Sequence, residues 1–303
     1  MSRRSLFLFV VLAATWGASY LFIKIGLRGL SPAEIVSIRT GLAALVLLPF
    51  ALQRRALRGL GRRAPEVVLL GTIHMAAPLT LISFGERHIA SSLAGILVAA
   101  SPIFTALLAP IVDHEERSSG LRLVGVVVGI VGVGLLLGVD LGGDSQALLG
   151  GVMVVLAGLG YAVAGFIVKR RFRDVQPIGI VTGTTLSAAL LLLPAAIATA
   201  PSHGPGAGPL AAVAVLGVAG TGLAFLIYYT LLGTAGPAKA SLVAYVAPGF
   251  SVFYGAAFLS EGLSVNTFAG LFLILAGSWL AGDGRLPRRR RADRKQPGYP
   301  ARA

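Results

Sequence analysis

Two apolar stretches of like design carry the residues with chemical potential. One is SSLAGILVAASPIFTALLAPIVDHE, from Ser91 to Glu115, and the other PAKASLVAYVAPGFSVFYGAAFLSE, from Pro237 to Glu261. In each, a proline (Pro102, Pro248) precedes the closing glutamate by 13 residues. A proline has no N–H for the carbonyl four residues before it, and its ring crowds that carbonyl. Each helix is therefore expected to kink and to leave a polar group free at mid-depth of a membrane. The chemistry this allows is noncovalent: the temporary holding of a small solute. Ser101 stands beside Pro102, and Ser241 and Tyr245 lie seven and three residues before Pro248, near one helical face.

Further candidates lie outside these stretches. Trp16 and Tyr20 are one turn apart and share a face, with Trp16 about 10 residues into its segment and so near mid-depth. Trp16 and Tyr161 serve either cavity lining or ordinary packing. His74 lies well inside a span, with Pro78 one turn later to free its carbonyl. An intramembrane histidine offers a route for proton coupling, or else a hydrogen-bonded packing residue. Thr221, Phe225 and Tyr228 form one semi-polar stripe, and with Ser241 and Tyr245 they make a pocket of aromatic faces and hydroxyls. Such a lining suits small amphipathic or aromatic solutes better than sugars or polyanions. Glu115 and Glu261 read as gate or capping groups at helix ends. Arg39 reads as structural, snorkelling outward or pairing with Glu34 or Glu86, and Glu86 with Arg87 as a solvated loop.

Covalent chemistry finds no footing. The chain has no cysteine, which excludes disulfides, thiolate metal sites and cysteine nucleophiles. There is no Gly-x-Ser-Gly with a partner histidine, no paired intramembrane aspartates, no clustered metal ligands among four scattered histidines, and no phosphate-binding GxxxxGK[ST] loop. No cofactor is implied. An integral membrane enzyme, or a membrane scaffold that transports nothing, stands as the alternative to a transporter.

The elements that must hold these residues are membrane helices. The chain is 55% hydrophobic and only 13% charged, with mean hydropathy +0.83, against roughly 25% charged residues in soluble domains. Ten segments have the length and apolarity to span a bilayer: 6–24, 33–52, 66–85, 89–111, 121–139, 147–168, 177–199, 209–232, 237–259 and 264–282. The N-terminal stretch has the basic-then-apolar look of a signal peptide, but its apolar run continues to Ile23, so it reads as the first span. Threading the chain from a cytoplasmic N-terminus leaves every one of the 26 Lys and Arg residues on the inner side except Lys24, Arg28, Arg39 and Arg87. Both termini are thus expected in the cytoplasm of a bacterial inner-membrane protein. The net charge of +14 is a topology signal and not a nucleic-acid footprint. The tail, 285–303, has eight of those cations and no apolar pattern, and reads as disordered.

An internal repeat runs along the chain. Trp16 and Tyr161, Lys24 and Lys169, Pro32 and Pro177, and Pro49 and Pro194 are each 145 apart. Gly71 and Gly217, Pro102 and Pro248, and Glu115 and Glu261 are 146 apart; Gly125 and Gly270, and Gly132 and Gly277, return to 145. Two repeats of five helices follow, 1–142 and 143–284. Five is odd, so the second copy must thread the bilayer upside down, an arrangement that suits alternating access around a midplane site. Gly125 and Gly129 form a GxxxG pair, a spacing that serves either a homodimer seam or packing within one chain.

Over residues 10–280 the chain resembles the EamA-type ten-helix members of the drug/metabolite transporter superfamily. The likeness rests on WGASYLFIK, SPAEIVSIRTGLAAL and the paired proline-broken, glutamate-ended segments. One departure is DHEER after the fourth span, where a single Glu is usual. The resemblance implies an all-α polytopic membrane protein of two inverted five-helix repeats. Helices one to four and six to nine would surround a cavity, with five and ten outside. It also implies transport, often outward, of amino acids, other small metabolites or drugs.

Overall fold

A computed structural model describes residues 1–112, 120–141, 143–200 and 204–282. Among them every regular element is helical. Eight helices are long and apolar enough to cross a bilayer: α1 (Arg3–Gly26), α2 (Pro32–Gln53), α3 (Leu60–Gly85), α4 (Ser91–Val112), α5 (Gly120–Gly138), α6 (Ser145–Arg171), α7 (Pro177–Ala198) and α8 (Ala207–Ala235). Two shorter apolar helices follow, α9 (Val243–Leu259) and α10 (Val265–Ala281). The chain is a multi-pass membrane protein. Large apolar side chains such as Phe7, Ile111 and Phe272 point outward, 67%, 71% and 71% exposed. A lipid surround accepts such a surface and water does not.

Helix ends are set by local chemistry. Ser31 and Glu34 form a reciprocal cap at the start of α2, with Pro32 in the first turn. The Asp144 carboxylate accepts from the N–H groups of Gln146 and Ala147 to start α6. Ser264 and Thr267 cap α10 in the same reciprocal way.

The prolines act differently from one another. Pro102 lies just past a break in α4, where Ala99 and Ala100 donate to the carbonyls three residues back. In the second proline segment the break sits upstream of Pro248, at Ser241 and Leu242, where Ala244 and Tyr245 again bond three residues back. Pro248 itself lies inside an unbroken α9. The break in hydrogen bonding thus lies about two turns before Pro248, and α9 after it is 17 residues long. Pro78 follows a π-helical segment, Thr72–Ala76, which absorbs the missing N–H partner of His74. A second π segment, Val218–Leu223, stands in α8 without any proline. There the Thr221 hydroxyl donates to the Leu216 carbonyl five residues back (3.0 Å), holding the wider turn.

Packing is close where glycine allows it. The pairs α5–α10, α2–α7, α1–α9 and α3–α6 make the main contacts, with α4 against α6 and α9, and α8 against α1 and α2. A Cβ on Gly17 would lie 2.5 Å from the Phe250 Cβ and 2.7 Å from the Ala247 carbonyl, so α1 and α9 cross backbone to backbone. Gly125 and Gly129, the GxxxG pair, are used inside the chain: a Cβ on Gly125 would meet the Gly277 carbonyl at 2.7 Å. Gly71 abuts the Thr184 carbonyl of α7 and Gly217 the Arg39 carbonyl of α2, and each glycine immediately precedes a π segment. The expected tail, 285–303, lies outside the described residues.

Candidate functional site

A cavity of about 400 Å³ opens in the middle of the bundle. Its aromatic wall comes from α1 and α8. The Trp16 ring lies 5.4 Å from that of Tyr228 and 6.2 Å from that of Phe225, centroid to centroid. Facing it, the rings of His74 on α3 and Tyr161 on α6 meet edge to face at 6.0 Å. Ser101 and Pro102 of α4, Tyr20 of α1 and Thr221 of α8 complete the polar part of the lining. Of the residues proposed from sequence, the structure therefore brings together Trp16, Tyr20, His74, Ser101, Tyr161, Thr221, Phe225 and Tyr228, together with Pro102 and Pro248.

Three candidates lie elsewhere. Tyr245 points away, its hydroxyl donating to the Ser278 carbonyl of α10 at 3.2 Å. Ser241 sits in the break before α9, exposed and outside the lining. Within α9 it is Ala244 and Ala247, one turn and one residue before Pro248, that line the cavity with it, while Ser241 lies beyond the break and outside that helix. Pro78 is buried against Gly160 of α6, also outside the lining. Glu115 lies outside the described residues.

Arg39 overturns its sequence reading. It neither snorkels nor pairs with Glu34, whose carboxylate accepts from the Ser31 N–H at 2.7 Å. The Arg39 side chain is 8% exposed, lines the cavity, and donates from Nε to the Thr221 hydroxyl at 2.8 Å. Thr184 of α7, 145 residues on, instead donates back to Val181 in its own helix, and α7 lends the cavity no side chain. Glu86 is also not a solvated loop residue. It is fully buried, and neither carboxylate oxygen finds a hydrogen-bond partner among the described residues.

Two polar clasps tie helices together at one end of the bundle. Lys24 of α1 donates to the backbone oxygens of Glu86 and Ile89, at 2.5 and 2.8 Å, spanning the α3–α4 turn. The Glu261 carboxylate, just past α9, accepts from the N–H groups of Ser91 (2.7 Å) and Ser92 (2.9 Å) at the start of α4. Carboxylate at a helix N-terminus answers both the unpaired N–H groups and the helix dipole. Partial burial pushes the Glu261 carboxyl up, but the bonds from Ser92 and Ser91 outweigh it and hold it below the usual carboxylate range. At the opposite end Arg63 makes a two-pronged pair with Asp174, at 2.9 and 2.8 Å.

The sequence model of the EamA-like transporter family matches this chain twice, over residues 3–138 and 148–282. The chain belongs to the EamA-like transporter family. A transporter of Archaeoglobus fulgidus, uncharacterized, is 25% identical over 275 residues, 89% of this chain and 97% of that protein. A "probable terminal-alkyne amino-acid exporter" of Streptantibioticus cattleyicolor is 27% identical over 205 residues, 68% of this chain and 67% of that one. A "probable amino-acid metabolite efflux pump" of Salmonella typhimurium is 25% identical over 197 residues, covering 64% and 63% of the two chains. A crystal structure superposes with a TM-score of 0.65 at 19% identity, over 93% of this chain and 98% of the other, a likeness of fold.

Several parts of this EamA-like chain escaped the sequence reading. Ser19, Gly95 and Val98 line the cavity without any chemical signal of their own. A Cβ on Gly95 would sit 2.5 Å from the Ser251 Cβ, so the glycine marks a close approach of α4 to α9. Lys24 did carry a signal. It is a charged residue at a span's end with a repeat mate, Lys169, and only its partners were hidden.

Proposed function

We propose that this chain is a secondary transporter that moves a small amphipathic metabolite, such as an amino acid, out of a bacterial cell by alternating access. The observation that carries this is the cavity itself. It draws side chains from α1 to α4 and from α6, α8 and α9, and two clasps tie helices together at one end. All ten apolar helices cross the inner membrane in this reading, with both termini in the cytoplasm. The clasped end is then the closed outer gate, and a solute enters from the cytoplasm.

The repeat reading, with halves 1–142 and 143–284 of opposite orientation, draws support from several sides. The family model matches twice. Two of the three π segments among the described residues begin 146 residues apart, at Thr72 and Val218. The contacts of Gly71 with Thr184 and of Gly217 with Arg39 exchange repeat mates. Two such halves can trade inner and outer conformations around a midplane site.

The lining explains why the cargo would be amphipathic. Trp16, Phe225 and Tyr228 offer apolar faces. The carbonyls of Val98 and Ala244, whose helix partners are the N–H-less Pro102 and Pro248, offer acceptors at mid-depth. The names of the two exporter relatives agree with an amino acid as cargo. The test is counterflow in proteoliposomes. Saturable exchange of a preloaded solute is expected, with loss in Trp16→Ala and Pro248→Ala variants that still fold; exchange unchanged in both variants would remove the cavity from the path.

A further inference from the structure

The cavity lining contains one arginine, and a single hydrogen bond is all that the described residues give it. Arg39 spends its Nε–H on Thr221. Its four remaining N–H groups have no hydrogen-bond partner among the described residues, although the residue is 8% exposed. No carboxylate lines the cavity. Glu86 acts on Arg39 only through space, without an ion pair among the described residues. A buried guanidinium left without a counter-charge is costly, and it persists where a ligand supplies that charge.

The surroundings stop Arg39 from escaping. It lies seven residues into α2 from Pro32, about 10 Å along the axis from that helix end, and is 8% exposed. Its backbone is pinned where Gly217 of α8 meets the Arg39 carbonyl; a Cβ there would lie 2.9 Å from that oxygen. Thr221, on the π segment of α8, then aims the guanidinium plane. The hydroxyls of Tyr20 and Tyr161 lie within electrostatic range and make no hydrogen bond to the described residues. This corner thus presents donors: a planar fork with two phenols beside it.

We infer that Arg39 anchors a single carboxylate on the transported solute, so that the cavity takes monocarboxylates and zwitterions and rejects cationic amphiphiles. A fork of this kind matches a carboxylate with two parallel bonds. One guanidinium balances one negative charge, which disfavours phosphates and dicarboxylates. Phe225 follows Thr221 by one helical turn, about 6 Å, so the aromatic wall begins where the apolar body of an anchored amino acid would lie. The inference rests on the transport reading above and narrows its cargo.

The test uses the full chain in proteoliposomes with two probe mixtures. One holds the twenty protein amino acids; the other holds the amides and decarboxylated amines of the apolar ones. Exchange of the acids without the amides and amines is expected. Arg39→Gln should lose roughly tenfold to hundredfold of that exchange, the weight of a charge-assisted bond, while Arg39→Lys retains part. Amides and amines exchanging as fast as acids would overturn the anchor and leave transport standing.

Melting temperatures decide the case independently of flux. The acid mixture should raise the melting temperature of the wild type and leave that of Arg39→Met unmoved. Without solute, Arg39→Met should melt no lower than wild type, because it removes an unpaired buried charge. A lower melting point would make Arg39 a structural brace and sink the proposal. Should neither mixture exchange, the transport reading fails; an acid-induced shift confined to the wild type would still uphold the anchor, and no shift would end it.

Discussion

Replacing Glu261 by glutamine tests the clasp that ties α9 to α4. The carboxylate accepts from the N–H groups of Ser91 and Ser92 with one oxygen each. Glutamine keeps one acceptor and loses the charge, so one bond goes and the other becomes an ordinary neutral one. A charge-assisted bond is worth ~1.5–3 kcal/mol and a neutral one ~1. The side chain is only half-buried, so the low end applies, and the net loss is about 2 kcal/mol. If the clasp exists in one of two conformations, that loss shifts their ratio by about 30-fold toward the one open at this end.

The chain has no cysteine, so a single Val98→Cys in the cavity lining reports on access without background. Labelling by a membrane-impermeant thiol reagent added from the clasped side should rise roughly tenfold or more on adding Glu261→Gln. An unchanged rate, with the variant folded, would show that the clasp does not gate the cavity. The pH sign follows from the same bonds. The carboxyl is held low in the folded state, so its contribution is present above the unfolded value of about 4.3 and is lost as pH falls through the lower folded one. Melting temperature should drop over that acid step in the wild type and much less in Glu261→Gln.

Other perturbations separate cavity from scaffold. Gly17→Ala forces a Cβ into the Ala247 carbonyl at 2.7 Å and should cost about 1–3 kcal/mol of stability, read as a lower melting temperature. Tyr245→Phe removes only the bond to the Ser278 carbonyl; it should cost about 1 kcal/mol and leave the affinity for solute unchanged in a counterflow assay. His74→Ala should abolish any dependence of flux on a pH gradient while sparing counterflow, and an unaltered gradient response would take His74 out of the proton path. The His74 Nδ1 atom is buried without a hydrogen-bond partner among the described residues, so the same variant should not lower stability by loss of a bond.

Much of the scaffold was legible because its signals are local. Apolar runs depend on neighbours a few residues apart, and eight of the segments they predicted correspond to helices long and apolar enough to span a bilayer, the other two to shorter apolar helices. Helix interruptions were harder to place. Pro248 marks a missing donor for the Ala244 carbonyl, but the break in helix bonding falls upstream at Ser241, where the Ala244 and Tyr245 N–H groups bond three residues back. The π segment in α8 has no proline at all. Its cause is tertiary: Gly217 and Gly222 let α8 press against Arg39 and Val46 of α2, and the wider turn follows. No local pattern announces a distortion imposed by another helix.

The cavity shows the same division. Trp16 was identifiable by its depth, and Tyr161 by its 145-residue offset from Trp16. Arg39 was misjudged because sequence gives a cation's depth but not its company. At two turns from a helix end, snorkelling and pairing are the ordinary resolutions, and both depend on what lies beside α2. The structure places a hydroxyl and two phenols there, and no acid within hydrogen-bonding distance among the described residues. α2 thus brings a guanidinium to the cavity, whereas Thr184 of α7, 145 residues on, bonds within its own helix. In the repeat reading proposed above, that unmatched charge gives an anchored anion one orientation, because the counterpart of Arg39 has nothing with which to compete for it.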